Sequence, residues 1–172
     1  MVAEGLLMRI SIDPNICAGK PCIRGHRIGI EIVLGYLAGG SSIEEVLIAY
    51  PSIDRDDVLA CIAYGAEMAR DCWAKIPIID LVLPLTNRSL ENEQDLPTRI
   101  NFNPQIFGGK PIIRGRRLAV EQILEMLAAG DTDKTLLAAY PWLELADIQA
   151  CLIYACRLVE HQCVETITKT II

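Results

Sequence analysis

A mainly α-helical chain, built as two tandem three-helix repeats that each follow a short β-strand or hairpin, is what this sequence predicts. Three observations carry that prediction. Residues 9–70 align with 99–160 without a gap, and 24 of those 62 positions are identical, which marks an internal duplication. Within each copy, apolar residues recur at helical spacing in three successive stretches. Glycines, prolines and capping residues stand between those stretches, where helices start and stop. A unit of about 60 residues buries only about 60% of its unfolded surface and is marginal alone, so the two copies are expected to pack as a pseudo-twofold pair. The expected layout is a first repeat at 1–70, a partly extended linker at 71–98, and a second repeat with a C-terminal tail at 99–172.

In copy one, "RISI" (9–12) alternates polar and apolar as a strand does, and Asp13-Pro14 is a turn signal matched by Asn103-Pro104 in copy two. "PCIRGHRIGI" then sets two apolar-basic segments on either side of Gly25-His26, the pattern of a tight hairpin whose glycine supplies a positive φ. A first helix is expected over about 29–38, stopped by Gly39-Gly40. A second, short helix opens with the capping box Ser42-x-x-Glu45 and ends at Pro51; copy two offers Asp131-Thr132 as its cap and Pro141 as its end. The third and longest runs from Asp54 to about Arg70, with acids in its first turn and Val58, Leu59, Ile62 and Ala66 at core spacing. A short helix, a sharp "YPSI" or "YPWL" turn and a longer helix have the order of a helix-turn-helix, although any three-helix bundle has such a corner.

Composition narrows the function classes. With 52% hydrophobic and 22% charged residues the chain reads as ordinary globular protein. Its uncharged runs fall short of the roughly 18–20 residues of a membrane span, and "MVAEGLLMRISI" has neither a basic start nor a long apolar core, so a cytoplasmic protein is expected. Of seven cysteines only Cys61 and Cys151 correspond between copies, while Cys17 and Cys22 become Phe107 and Ile112. Packing thiols vary in that way and metal ligands do not, so no metal is expected. Neither is a cofactor: "AGK" and "GGK" lack the upstream glycine of a phosphate-binding loop, having Pro14 and Pro104 there. His26 is replaced by Arg116 and His161 is near the tail, and neither has a recurring Ser, Cys or Asp partner, so no catalytic residue is assigned and an enzyme is not expected. Tyr50/Tyr140 and Tyr64/Tyr154 fit helix-end packing, and Trp73 and Trp142 fit packing or an interface.

What stands out is a pair of basic loops in a chain of formal net charge −6. Residues 14–30 hold Lys20, Arg24 and Arg27 and no acid; 104–120 hold Lys110, Arg114, Arg116 and Arg117 and no acid. Across a tight hairpin Arg24 faces Arg27, a like-charge arrangement that calls for an anion. Two sources fit. Glu31 and Glu121, the first acids downstream, can brace the arginines internally, or the arginines form a surface for phosphate or for a partner's carboxylates.

The string K-P-x-I-R-G-x-R, followed by an amphipathic helix, a capped short helix, "AYP" and a longer helix, resembles the bacterial family called domain of unknown function 433. The resemblance covers about 9–70 and again 99–160. It implies a VapB-like antitoxin with a homeodomain-like, helix-turn-helix fold that binds DNA, a PIN-domain toxin, or both. The signature falls on Gly19, Lys20, Pro21, Arg24, Gly25 and Arg27, and on Gly109, Lys110, Pro111, Arg114, Gly115 and Arg117.

Charge separates the candidate partners. The helix that would enter a DNA groove opens with Asp54, Arg55, Asp56 and Asp57 in copy one and "LELADIQ" in copy two, which opposes phosphate. Copy one has 6 basic and 8 acidic residues, copy two 7 and 7, and the linker 2 and 5. A protein partner such as a PIN-domain toxin therefore fits best. A DNA-binding autoregulator and a homo-oligomerisation module are the alternatives, with DNA contact confined to the basic loops.

Overall fold

The computed structural model describes residues 2–71 and 96–170. A short helix that the sequence did not announce, α1 (Val2–Leu7), precedes copy one and packs on its third helix. Copy one then runs β1 (Ile10–Ser11), β2 (Cys22–Ile23), α2 (Ile30–Ala38), α3 (Ile43–Ala49) and α4 (Arg55–Asp71). In copy two a helical turn, α5 (Leu96–Arg99), leads into β3 (Ile100–Phe102), β4 (Pro111–Ile113), α6 (Val120–Ala128), α7 (Asp133–Ala139) and α8 (Leu145–Thr170). The chain is mainly helical with two small strand pairs, as expected. Most of the linker at 71–98, with Cys72 and Trp73, lies outside the described residues; the tail continues α8 as far as Thr170.

The termini of the helices follow local chemistry. Ser42 caps α3 with a full capping box: the Glu45 N–H donates to Ser42 Oγ at 3.2 Å and the Ser42 N–H to Glu45 Oε2 at 2.7 Å. Thr132, the second of the two expected cap residues, caps α7 by accepting the Thr135 N–H at 3.3 Å. Gly40 and Gly130 end α2 and α6 at φ +89° and +100°, where a side chain would be strained. Tyr50 and Tyr140 close α3 and α7, and their rings meet Tyr36 and Trp142 edge-on at 5.7 and 6.4 Å.

In the hairpin region β1 pairs antiparallel with β2, Ile10 opposite Ile23 and Ser11 opposite Cys22, and β3 pairs with β4 in the equivalent register. The returning chain is held by a Cys22–Gly29 bridge and by the Ile23 N–H donating to the Ile28 carbonyl. Arg24-Gly25-His26-Arg27 is therefore a four-residue loop, not a two-residue turn, with the arginines at its two ends. The His26 N–H closes it on the Ile23 carbonyl, and Gly25 takes φ +80°.

The two copies exchange partners. Helix one of each packs chiefly on helix three of the other, α2 on α8 and α6 on α4, and α4 and α8 also touch. Gly65 of α4 meets its equivalent, Ala155 of α8: a Cβ on Gly65 would lie 2.9 Å from the Ala155 Cβ. Equivalent positions touch only on a symmetry axis, so the pseudo-twofold passes there. One core results, in which Ile30, Leu34 and Ile62 of copy one share a cluster with Val120, Leu124 and Leu152 of copy two. Each such side chain contributes about 1.5–3 kcal/mol by leaving water, and much of that burial exists only when both copies are present. Arg70 of α4 also bonds to Glu125 of α6 across this interface.

Among the described cysteines, Cys22, Cys61, Cys151 and Cys156 are buried and Cys17 is half-buried. Burial pushes the Cys61 and Cys151 thiols well up, and burial together with neighbouring Cys17 pushes Cys22 up to about 11. No group of three or more potential metal ligands occurs among the described residues, and no described helix is long and apolar enough to cross a membrane.

Candidate functional site: two basic loops with different neutralisation

The two loops have the same course but different electrostatics. In both, the segment before the lysine turns through three consecutive left-handed residues, Cys17-Ala18-Gly19 and Phe107-Gly108-Gly109. Three of the six carry a Cβ in a conformation disfavoured for it, and each turn is closed by the lysine N–H on the first carbonyl. Lys20 and Lys110 are thereby brought to the start of α2 and α6.

There Glu31 and Glu121 take the lysines and not the arginines, which corrects the expected Arg–Glu brace. Lys110 Nζ lies 2.8 and 3.0 Å from the Glu121 carboxylate; Lys20 Nζ is 3.9 Å from Glu31. One residue accounts for the difference. The Glu31 carboxylate folds back over Gly29 into space that a Cβ would fill, and the equivalent Ala119 has that Cβ. Burial pushes the Glu31 carboxyl above the usual range despite Lys20, and its Oε2 is buried without a hydrogen bond.

The arginines diverge further. In copy two Arg114 takes φ +46°, next to Gly115 at +69°, and its guanidinium is gripped at the start of α8. It donates to Glu144 at 2.7 Å and to the Trp142 carbonyl at 2.5 Å, and lies 2.9 Å from Asp147. Arg116 sits over the Trp142 ring, 4.7 Å from its centroid. In copy one the residue matching Trp142 is Ser52, Arg24 is not left-handed, and no equivalent grip forms. Among the described residues Arg24, Arg27 and Arg117 have no acidic partner, and all three are exposed. His26 is half-buried rather than fully exposed.

A second repeated brace, outside the basic loops, ties the start of each repeat to its third helix. Arg9 reaches Asp57 at 2.8 Å, Asp54 at 3.0 Å and Asp56 at 3.3 Å; Arg99 reaches Asp147 at 2.7 Å and Glu144 at 3.0 Å. Arg9/Arg99 and Asp57/Asp147 are identical, opposite in charge and equally spaced in both copies, and that was the available signal. The same acids cap the third helices. The Asp54 and Asp57 N–H groups each donate to the other's carboxylate at 2.9 Å, and the Glu144 N–H donates to Asp147 at 2.9 Å. Copy one thus spends three carboxylates on one arginine, whereas copy two holds two arginines with two carboxylates. Against the upward push of its partial burial, the Asp57 N–H and the Arg9 guanidinium hold the Asp54 carboxyl below its usual range. Hydrogen bonds from Arg99 and then Arg114 do the same for Glu144.

Helix three has little free face to offer a groove. From Asp57 to Ala66 nearly every residue of α4 is buried or half-buried, and so is α8 from Asp147 to Val159.

Comparison with known proteins agrees with the duplication. One relative, the uncharacterized protein y4eO of Sinorhizobium fredii, is 34% identical over 96 residues, 52% of this chain. The chain spans 43% of that relative's length. No solved structure matches significantly. The family model described as protein of unknown function (DUF433) matches twice, at residues 10–65 and 100–155, within the two units that the basic loops and their braces define. The chain belongs to the DUF433 family, and it carries that family's domain in tandem.

Proposed function

We propose that this chain is a non-enzymatic, antitoxin-like binding module whose contact surface is the copy-one loop carrying Arg24 and Arg27, and whose partner is an acidic protein surface such as that of a PIN-domain toxin. The observation that supports this reading is the unequal neutralisation of the two loops. Arg114 is tied to its own chain by three groups, whereas Arg24 and Arg27 stand exposed at the ends of their loop with no acid beside them among the described residues. Exposed arginines without a partner are the side chains suited to bidentate carboxylate or phosphate capture. Arg116 and Arg117 extend the basic surface in copy two, with Arg116 held ready on Trp142. Lys20, Lys110 and Arg114 belong to the support of the loops.

Exposed loop cations also favour the DNA reading, with one restriction. The third helices are buried between the copies and their N-terminal acids are engaged, so DNA contact falls to the loops alone. A few phosphate contacts on an acidic chain give weak, strongly salt-dependent binding.

The test is capture of a co-expressed neighbouring PIN-domain nuclease by the wild type, by Arg24→Ala/Arg27→Ala and by Lys110→Ala. The loop double variant should lose capture while its melting temperature holds, and Lys110→Ala should retain capture. Retained capture by the loop double variant would refute the assignment. A mobility shift at physiological salt that depends on Arg24 and Arg27 would transfer the site to DNA, and light scattering of the free chain decides the homo-oligomer alternative.

A further inference from the structure

A cavity of about 330 Å³ opens on the pseudo-twofold axis, lined by residues of both copies and by none of the basic loops. Equivalent residues of the two copies line it in pairs. Leu37 and Leu127 face each other, as do Ile62 and Leu152, with Ile148 completing an apolar floor. The rim is not symmetric. On the copy-one side stand Ser41, Ile43 and an Arg55–Glu44 ion pair at 3.5 Å, and Glu45, which accepts from the Ser42 N–H in the α3 cap, leaves one negative charge. On the copy-two side the matching positions are Asp131, Asp133 and Leu145. Neither aspartate has an ion pair among the described residues, and Leu145 is 47% exposed at the mouth. Partial burial pushes the Asp133 carboxyl up, so its charged form is disfavoured until a cation lies beside it.

We propose that this cavity binds a small organic cation, a primary amine or guanidine with an apolar body, whose charge meets Asp131 and Asp133 while its body lies on the leucine and isoleucine floor. Size agrees with that class. At about 30 Å³ per water-sized group, the cavity admits about ten heavy atoms, which is at the small end of ligand pockets. Polarity agrees as well: among the described residues Asp131 and Asp133 stand without an ion pair on one side of an apolar cleft, and the other side, with Glu44 and Glu45 against Arg55, is also net negative. The asymmetry requires a tandem chain. Two identical subunits would present the same rim twice, whereas two copies in one chain are free to differ across the axis.

The full chain would be titrated with phenethylamine by calorimetry, using 3-phenylpropionate as a probe of similar size and opposite charge. Phenethylamine should bind at one site, and 3-phenylpropionate should not. Asp131→Asn/Asp133→Asn should weaken the amine by about tenfold or more, the loss expected when a charge-assisted contact is removed. Ser41→Trp, which adds bulk at the rim without touching the acids, should abolish binding and leave the melting temperature unchanged. No saturable binding, equal binding of the two probes, or full affinity in the Asn double variant would each overturn the proposal.

Discussion

Replacing Asp147 by alanine should cost about 3 kcal/mol, roughly twice the cost of the equivalent Asp57→Ala. Asp147 is fully buried, and its carboxylate meets Arg99 at 2.7 Å, Arg114 at 2.9 Å and the Glu144 N–H at 2.9 Å. Removing one member of a buried ion pair costs about 3–5 kcal/mol when the partner charge is stranded. Arg99 and Arg114 would not be stranded completely, since both keep Glu144 and have side chains 20% and 30% exposed, so the lower end applies. Asp57 serves a single guanidinium, Arg9, which keeps Asp54 and Asp56. Its loss forfeits a cap of about 1 kcal/mol and a solvent-screened pair of less than about 1 kcal/mol. The assay is urea unfolding of both variants followed by far-UV circular dichroism, with Arg114→Ala and the Arg114→Ala/Asp147→Ala double variant completing a cycle. A cost for Asp147→Ala no larger than for Asp57→Ala would refute the idea that copy two's loop is tied down through this carboxylate.

Other outcomes follow from the same geometry. Arg114→Ala should destabilise by about 1–2 kcal/mol and Arg24→Ala by less than about 0.5 kcal/mol, read from urea midpoints, because only the former ends a partly buried charge-assisted contact. Stability should fall on acidification: Asp54 and Glu144 have lowered folded-state pKa values, so their contribution is full above the unfolded carboxylate range near pH 4 and is lost as pH drops through the folded values. Glu31 has the opposite sign: its raised value costs stability as pH rises from the unfolded carboxylate range near pH 4 through the folded value, so Glu31→Gln should be at least as stable as wild type at pH 7 and should remove that part of the profile, checked by thermal melts across pH. Gly65→Val should destabilise by about 2 kcal/mol in thermal melts, since overpacking against Ala155 exceeds any gain in helix propensity.

Much of the architecture was legible because it rests on short-range chemistry. The capping box at Ser42, the glycine stops at Gly40 and Gly130 and the core spacing of α4 each involve residues within one or two turns, and each is found as read. The duplication itself is written in identities. The exchange of partners was not legible, because a helix one that packs on its own helix three has the same amphipathic pattern as one that packs on its neighbour's. The loops divide along the same line. That Arg24 and Arg27 end a glycine loop follows from local sequence, but the Lys–Glu pairing depends on whether a Cβ stands at residue 29 or 119. The grip on Arg114 draws on a backbone carbonyl and a ring 28 positions away.

These differences between the copies share one physical origin. A symmetric dimer of single domains must place identical side chains on both sides of its axis, so any residue that ties down one loop ties down the other. In a tandem chain the core around Gly65 and Ala155 can stay shared while each half drifts. Trp142 in place of Ser52, Ala119 in place of Gly29, and Asp131 and Asp133 in place of Ser41 and Ile43 lie away from the Gly65–Ala155 contact, and each alters a charged group's surroundings without altering a helix. Arg114 of one loop becomes tied to its own chain while Arg24 of the other stays open, and the cleft on the axis gains two aspartates. Restoring symmetry tests this directly: Ser52→Trp should supply Arg24 with the ring that Arg114 and Arg116 have in copy two, raising stability in urea and lowering partner capture together. A change in capture without any change in stability would separate the two effects and show that the tryptophan acts on the partner instead of on the loop.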